Sequence, residues 1–338
     1  MSRPFPEMVI RHAYFDHAVE VIQQAMRYAQ SGAPAKSIPL YGPAGVGKTW
    51  VVNAICQEFP VKRTPDGISA PVIRIKNPFN PSVKQIARFI LKALGDPNAH
   101  KGTEIDLYDR ADELLKAAGT VVLLIDEFQH LVDRSTSRFQ EEAANALKTL
   151  AEDRNLVLVA SGLPRGNQVI GRLQQLQTRF MSPAIMPRLD WRFPFAQRQF
   201  LGILNSFAEE LDEPSLRDEG IAFRLYAATG GLLRNLGHIL RYADLMASES
   251  KRKSSIVTPK ILGESYARSI YKHDAVVERP FDPKVKVEPN DELLARIARS
   301  MVDQDDPYSD LDEEGDDLHK AIRRALMGDF PQSGGVKA

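Results

Sequence analysis

A glycine-rich segment near residue 42 constrains the fold of this 338-residue chain more than any other feature. It matches the pattern G-x-x-x-x-G-K-[ST] and lies between the apolar run 38–41 and an apolar segment with helical spacing, 50–59. The matching residues are Gly42, Pro43, Ala44, Gly45, Val46, Gly47, Lys48 and Thr49. Strand, glycine loop and helix in this order predict an α/β sheet with a phosphate-binding loop at its edge.

Each part of this motif has a chemical role. Glycines allow backbone N–H groups to turn inward toward phosphate oxygens, and the helix N-terminus adds a favourable dipole. We expect Lys48 to neutralise the β- and γ-phosphates of ATP and the Thr49 hydroxyl to bind Mg²⁺. Trp50 follows directly and is either a nucleotide contact or a packing residue.

A pair of acidic residues follows about 80 positions later. The apolar run 121–125 is typical of a buried strand and ends in Asp126 and Glu127. Because α/β sheets bind ligands at the carboxyl ends of their strands, we expect Asp126 to hold Mg²⁺ through water. Glu127 is then placed to polarise the water that attacks the γ-phosphate. The alternative is that the two carboxylates only cap the helix that follows.

The remaining pattern predicts the organisation of the chain. A helix over 13–30 precedes the first strand, and short apolar runs then alternate with helical patterns, as in βαβ units. Strands are predicted at 38–41, 71–75, 121–125, 156–160 and 183–186, with helices at 47–59, 81–94, 104–118 and 137–151. Only helical patterns follow, at 195–211, 217–228, 232–248 and 258–272. This predicts an α/β fold with a five-stranded parallel sheet flanked by helices and a small C-terminal all-helical domain.

Charge divides the chain into a body and a tail. The chain has 44 basic and 44 acidic residues, but residues 281–338 hold 14 acidic and only 8 basic ones. Residues 1–280 therefore have 36 basic and 30 acidic residues, which leaves room for a nucleic-acid partner. The predicted segments are an N-terminal helical leader (1–35), a nucleotide-binding α/β domain (36–193), a helical lid (194–275) and an acidic, largely disordered tail with a short terminal helix (276–338).

Composition also bears on the compartment. Cys56 is the single cysteine, so an internal disulfide is excluded, and the N-terminal residues lack the apolar run of a secretory signal. No apolar run approaches the roughly 20 residues that cross a bilayer. We therefore expect a cytoplasmic protein without a membrane span.

Together these motifs resemble those of AAA+ ATPases, and within them the chain is similar to the transposon target-selection regulators TniB and TnsC. The resemblance covers residues 10–272. It rests on the stretches IPLYGPAGVGKT (38–49), LLIDEFQHL (123–131), LVLVASGLP (156–164), LQTRF (176–180) and GGLLRN (230–235). It implies a P-loop NTPase with a helical lid, an active site completed by a neighbouring subunit, and ATP-dependent assembly into a ring or helical filament.

The resemblance also implies roles for single residues. Ser161 corresponds to sensor 1, which positions the hydrolytic water or reports the γ-phosphate. Arg179 corresponds to the arginine finger that reaches the neighbouring subunit's nucleotide, with Arg172 as its rival. Arg234 corresponds to sensor 2; a cation at a helix N-terminus is unfavourable unless an anion is near, which favours this role. An ordinary strand-end serine and solvated arginines are the alternatives.

Residues 84–103 form the candidate DNA-binding surface. Lys84, Arg88 and Lys92 recur every four residues along one predicted helix, and the following loop contains Lys101 and Thr103. In the TniB and TnsC regulators this region faces DNA inside the oligomer, and Lys84 and Thr103 align with contacting positions. The alternative is a solvated helix face. A few phosphate contacts, repeated over many subunits, would give salt-dependent binding without sequence readout.

The resemblance implies an ATP-dependent regulator of DNA transposition that oligomerises on double-stranded DNA and recruits or activates a DDE-type transposase. A TniQ-like targeting protein is the second implied partner, and ATP hydrolysis is expected to drive disassembly. One alternative is a replication initiator or helicase loader, against which we note no winged-helix pattern after residue 272. The other is a nucleotide-gated DNA scaffold or signalling switch with incidental hydrolysis. We expect the acidic tail to contact a protein partner.

Overall fold

The structure is a computed structural model that describes residues 10–65, 67–76, 82–130, 137–164, 180–249, 256–270 and 277–301, without the side chains of 137–140. It divides into two compact units. The first, here called the α/β unit, consists of Phe15–Ala44 and Lys48–Met186. The second, the helical unit, consists of the chain up to Tyr14, the loop tip Gly45–Gly47 and the chain from Pro187 onward. The bounds of the four predicted segments remain predictions.

The first part of the chain alternates helices and strands. In chain order these are α1 (Ala13–Gln30), β1 (Ile38–Tyr41), α2 (Lys48–Glu58), β2 (Lys62–Thr64), β3 (Gly67–Ser69), β4 (Val72–Lys76), α3 (Val83–Ala93), α4 (Glu104–Ala117), β5 (Val122–Asp126), α5 (Ser137–Arg154), β6 (Val157–Gly162) and β7 (Ala184–Ile185). Each predicted strand and helix is present, with ends that move by a few residues.

Five of the strands form one parallel sheet in the order β4-β5-β6-β1-β7. Every residue of β1, β5 and β6 is buried, as expected of strands covered by helices on both faces. The predicted five-stranded parallel sheet is therefore confirmed. The antiparallel hairpin β2–β3 was not predicted, because its strands have only three residues each and are mostly exposed, so they show no apolar alternation.

Helices α3 and α4 pack beside β4 and β5 through their apolar faces. The buried residues of α3 are Ile86, Ala87, Ile90 and Leu91, and those of α4 are Leu107, Ala111 and Leu115. Both helices begin at a side-chain cap: Ser82 Oγ accepts a hydrogen bond from the Gln85 N–H, and Thr103 forms a capping box with Asp106. Burial of these faces in a common core fixes which sides of α3 and α4 stay exposed.

The later part of the chain is helical, as predicted. It contains α6 (Pro194–Glu210), a 3₁₀ turn (Pro214–Arg217), α7 (Glu219–Thr229), α8 (Leu233–Glu249), α9 (Pro259–Ser269) and α10 (Asp291–Ser300). An aromatic cluster lies in its core, where the ring of Trp191 is 5.3 Å from the rings of Phe223 and Tyr226 and 5.9 Å from that of Phe200.

A buried ionic cluster holds the turn before α8. Arg188 Nη2 donates to Asp190 Oδ2 at 2.5 Å, and Arg192 donates to both carboxylate oxygens of Asp190. Arg188 Nη1 also donates to the Gly230 carbonyl at 3.2 Å. Gly231 adopts φ +80°, and a Cβ on it would lie 2.2 Å from the Leu189 carbonyl oxygen. Residues 188–190 therefore pack directly against the Gly230-Gly231 turn.

The predicted disordered character of residues 276–338 does not extend to residues 277–301. Phe281 and Val287 are buried there, as are Leu293 and Ile297 of α10. Arg224 of α7 donates hydrogen bonds to the carbonyls of this segment, at 2.6 Å to Pro280. The proline-rich composition of residues 277–289 resembles that of a linker, but this segment is packed. The acidic run and the predicted terminal helix, in 302–338, lie outside the described residues.

Among the described residues, no helix combines the length and the apolar character needed to cross a membrane.

Candidate active site

The glycine loop of residues 42–49, here the phosphate loop, has the backbone geometry that anion binding requires. Gly45 and Gly47 adopt φ +87° and +108°, a region that residues with a Cβ enter at a cost. Lys48 follows at the first position of α2, and its ammonium donates to the carbonyls of Gly42 and Pro43 at 2.6 and 2.8 Å. A loop of glycines at positive φ, with a cation bonded to its carbonyls, fits a phosphate group.

Asp126 is the last residue of β5 and is buried. Its Oδ1 accepts hydrogen bonds from the Ser161 hydroxyl at 3.3 Å and the Glu127 N–H at 3.1 Å. Its Oδ2 accepts from Arg74 Nη2 at 2.5 Å, and Arg74 also donates to Asn53 Oδ1 at 2.7 Å. Two carboxylate oxygens with three donors make an ordered, charge-compensated acid, which fits a residue that holds Mg²⁺ through water.

Parallel pairing in the sheet brings these residues together. Strand β5 pairs with β4 on one side, with Lys76 opposite Asp126, and with β6 on the other, with Ile125 opposite Ala160. Arg74 of β4 and Ser161 of β6 therefore flank Asp126 at the carboxyl end of the sheet. The Ser161 hydroxyl thus contacts Asp126 directly, and the role of Ser161 as a sensor remains a prediction.

Glu127 adopts φ +59°, a left-handed conformation that is uncommon for a residue other than glycine. Its carboxylate Oε2 accepts a hydrogen bond of 2.5 Å from the Gln129 side-chain amide. The neighbouring Phe128 N–H donates to the Ser161 carbonyl at 2.9 Å, which attaches the turn to β6. Strain of this kind is found where surrounding contacts determine the backbone, and active sites are common examples.

Arg234 lies beside the tip of the phosphate loop. Its backbone N–H donates to the Gly45 carbonyl at 2.9 Å, and a Cβ on Gly45 would lie 3.1 Å from the Arg234 Cβ. Its side chain is exposed at the N-terminal end of α8, where a cation is unfavourable without an anion. The position fits the predicted sensor 2, and the role itself remains a prediction.

The other predicted nucleotide contacts stand at the start of α2. Thr49 is exposed, and Trp50 leaves 44% of its surface exposed, so Trp50 is not a core residue of the chain. Cys56 is half-buried on the same helix, and burial raises the pKa of its thiol. Arg179 and its rival Arg172 lie outside the described residues, so the arginine finger remains a prediction.

The predicted DNA contacts lie at the junction of α3 and α4. Lys84 and Arg88 are half-buried, Lys101 is exposed, and Arg88 donates to the His100 carbonyl at 3.2 Å. Thr103 has a structural task, since its hydroxyl donates to Asp106 Oδ2 at 2.7 Å and accepts from the Asp106 N–H. These hydrogen bonds from Thr103 lower the pKa of the Asp106 carboxyl. The spacing Thr-x-x-Asp is itself a sequence signal of a capping box.

Two residues of the site were missed from the sequence. Arg74 interrupts an otherwise apolar strand, Val-Ile-Arg-Ile, and a charge in such a strand is a usable signal of a buried partner. Gln129 lies within the stretch LLIDEFQHL (123–131), but nothing in the sequence indicates that its amide contacts Glu127. Neither residue matches a motif pattern, and only the folded arrangement reveals their contacts.

Comparison with known proteins adds a family and a fold. The family described as "Bacterial TniB protein" matches residues 6–190, more than half of the chain. The chaperone protein ClpB of Wolinella succinogenes is 30% identical over 142 residues, and this match covers 42% of the chain but only 15% of ClpB. The chain therefore spans a small part of the length of that relative.

Three solved structures share the fold over most of their length. The Aeropyrum pernix ORC2 protein in its ADP form has a TM-score of 0.55 at 14% identity, covering 97% of this chain and 96% of that one. The ORC1 protein of the same organism, in complex with DNA, has a TM-score of 0.55 at 16% identity, with coverages of 96% and 84%. A Walker-type ATPase of Pyrococcus abyssi has a TM-score of 0.50 at 13% identity, with coverages of 88% and 92%.

At these identities the structural likeness shows the fold alone, which is that of AAA+ P-loop ATPases. The match to the family description identifies the relatives more narrowly. The chain belongs to the TniB family of AAA+ ATPases.

Proposed function

We propose that this chain is an ATP-dependent, DNA-binding AAA+ regulator of DNA transposition that oligomerises on target DNA and recruits or activates a transposase. Membership of the TniB family supports the process. The observation that supports the chemistry best is the cluster at the carboxyl end of the sheet, where Asp126 receives hydrogen bonds from Ser161 and Arg74. Arg74 also connects Asp126 to Asn53 of α2, the helix that follows the phosphate loop, and NTP hydrolysis requires such an acid.

In this proposal the phosphate loop binds ATP. The N–H groups around Gly45 and Gly47 face the phosphates, and Lys48 neutralises their charge. Thr49 and Asp126 hold Mg²⁺, which supplies charge neutralisation at the phosphates when bound. The ORC2 structure of the same fold is an ADP form, which agrees with a nucleotide ligand here.

Glu127 then acts as the base. A carboxylate one water from the γ-phosphate polarises the attacking water and accepts its proton. Ser161 orients that water, and Arg234 compensates charge at the loop tip, to which its own backbone is bonded. Arg179 is proposed to act in trans on the nucleotide of a neighbouring subunit, where an arginine stabilises charge in the transition state.

DNA is proposed to bind at the surface of Lys84, Arg88, Lys101 and Thr103. The cations of this surface contact DNA phosphates. The Thr103 hydroxyl is engaged in the cap of α4, so Thr103 contacts DNA only through its backbone and methyl group while the cap is intact. Each subunit supplies few contacts, so oligomerisation is what makes binding strong. The proposed protein partners are a DDE-type transposase and a TniQ-like targeting protein, with the acidic tail as one contact. The expected compartment is the cytoplasm.

Electron microscopy with duplex DNA tests the proposal. Rings or filaments should form with ATP and DNA and not with ADP, and E127Q should form assemblies that persist because hydrolysis is lost. Glu141, exposed on α5, gives a matched control in E141Q, which should behave as the original chain. An E127Q variant with unaltered turnover of assemblies would favour a scaffold with incidental hydrolysis. Monomers under every condition would refute the proposal.

A second measurement addresses the process. Capture of the transposase from the same transposon by the ATP-bound oligomer supports a transposition regulator. Capture of a replicative helicase, with no binding of that transposase, would instead identify a helicase loader and contradict the proposed role.

A further inference from the structure

We propose that Gln129 is a positioning residue for the base: it holds the Glu127 carboxylate in one orientation and ties it to the end of β6. This inference rests on the proposed function, because it concerns the base of that same hydrolysis. It assigns a task to a residue for which the sequence indicated no role, and it is carried by contacts within the α/β unit alone.

Both ends of the Gln129 amide are used. Its Nε2 donates to Glu127 Oε2 at 2.5 Å, and its Oε1 accepts from the Leu163 N–H at 3.0 Å. A carboxylate only accepts and a backbone N–H only donates, so the two partners fix which way the amide faces. Gln129 is 3% exposed, so its amide is shielded from water, while Glu127 and Leu163 are half-buried. A buried bridge of this kind orients a side chain more strictly than a solvated one does.

The space for the bridge depends on Gly162. A Cβ on Gly162 would lie 2.4 Å from Gln129 Oε1 and 3.2 Å from the Phe128 backbone nitrogen. The amide therefore occupies the volume that any side chain at position 162 would need. Gly162 is the last residue of β6, directly after Ser161, so the end of this strand is shaped to receive Gln129.

The turn that carries Glu127 is held at several points. The Glu127 N–H donates to Asp126 Oδ1 at 3.1 Å, and its carbonyl accepts from the His130 N–H at 3.0 Å. These bonds fix the left-handed backbone, but they leave the torsions of the Glu127 side chain undetermined. The hydrogen bond from Gln129 is what selects one orientation of the carboxylate.

This orientation matters for rate because a general base must lie within one water of the reacting phosphorus. A misplacement of about 1 Å costs on the order of 100-fold in rate. Nucleotide affinity should change little, because Gln129 contacts the base and not the phosphate loop. The expected signature is therefore a fall in kcat with an almost constant KM.

Three variants test the inference with MgATP and duplex DNA. Q129M removes both hydrogen bonds at similar volume, and we expect kcat to fall about 10- to 100-fold with KM within about 2-fold of the original. Q129E keeps the volume but brings a second carboxylate toward Glu127, so its kcat should fall below that of Q129M. G162A displaces the intact amide, and in combination with Q129M it should cause no further loss of kcat.

Thr120 provides the matched control. Its buried hydroxyl donates to the Ala70 carbonyl at 2.9 Å, at the opposite end of β5 from Glu127. T120V loses a buried hydrogen bond far along β5 from Glu127 and should leave kcat unchanged. Thermal unfolding and binding of a fluorescent ATP analogue confirm that each variant is folded and loaded; if Q129M does not fold, Q129E and G162A provide the test.

The outcomes separate the two proposals. If the unsubstituted chain hydrolyses ATP and Q129M and Q129E have the same kcat as that chain, the positioning role is overturned and the proposed function is left intact. The same would follow if T120V lost as much kcat as Q129M. An original chain that does not hydrolyse ATP with Mg²⁺ and DNA would overturn both.

Discussion

Asp190 offers the sharpest test of the forces that hold the helical unit. In D190N the side chain keeps its shape but loses its charge, so the buried Arg188 loses the carboxylate that it contacts. The side chains of Arg188 and Asp190 are 3% and 5% exposed, whereas that of Arg192 is 30% exposed. Leaving one partner of a buried pair uncompensated costs about 3–5 kcal/mol.

The loss of the Arg192 bond adds little, roughly 0–1 kcal/mol, because water screens an exposed guanidinium. For a unit of this size each kcal/mol lowers Tm by about 2–4 °C, so D190N should lower it by about 6–20 °C. R192Q should lower it by only a few degrees. Replacing both buried partners, in R188M/D190L, should recover most of the loss, since the charge that remains, on Arg192, is 30% exposed and reaches water.

Tryptophan fluorescence can follow this unit selectively. The chain has two tryptophans, and W50F removes the exposed one, which leaves Trp191 in the aromatic cluster beside Asp190 as the only reporter. Arg188 also bonds the Gly230 carbonyl, so D190N should loosen the turn before Arg234 and reduce ATPase activity as well. A Tm of D190N above that of R192Q, or a double variant no better than D190N, would refute the reasoning.

The stabilisation that the Asp190 carboxylate gives the fold depends on pH. Burial raises the pKa of Asp190, but Arg188 and Arg192 outweigh burial, so the pKa lies below its ordinary value of 3.8. A carboxyl with a lowered pKa stabilises the fold fully above its ordinary pKa and loses that contribution as pH falls through the lowered value. The Tm difference between the original chain and D190N should therefore be constant from about pH 8 to 5 and shrink below about pH 4.

Three further predictions concern the site and its surroundings. R74M removes the cation that Asp126 contacts and should lower the free energy of unfolding by about 1–3 kcal/mol, since Arg74 is one-third exposed. In paired melting curves, Mg²⁺ with ADP should raise the stability of R74M by more than that of the unsubstituted chain. Equal gains would contradict this prediction. G231A places a Cβ against a backbone oxygen at positive φ, so we expect at least about 3 kcal/mol of destabilisation by urea unfolding, and a loss below 1 kcal/mol would show that the turn is not tight. K101A should weaken DNA binding at low salt and reduce the salt slope by about 1 per site. T103S keeps the capping oxygen and removes no charge, so it should leave the salt slope unchanged, and an equal fall in the slope for both variants would contradict this.

The order of elements was predictable because it depends on local pattern. Apolar runs of strand length, the glycines of the phosphate loop and the amphipathic spacing of α3 and α8 each report on their own neighbourhood. The hairpin β2–β3 was missed because short exposed strands have no such pattern. The packing of residues 277–289 could not be predicted because their composition resembles that of a linker, although Phe281 and Val287 are buried.

The sequence by itself determined the phosphate loop, the acid pair at Asp126 and Glu127, and the α/β class, since each follows from residues adjacent in the chain. Only the tertiary structure decided the partners of those residues. Arg74 meets Asp126 across 52 positions because β4 and β5 pair in parallel, and Gln129 reaches Leu163 because β6 ends beside the turn. Pairing between strands is set by burial of the whole sheet, a global free-energy balance that no single stretch of sequence contains.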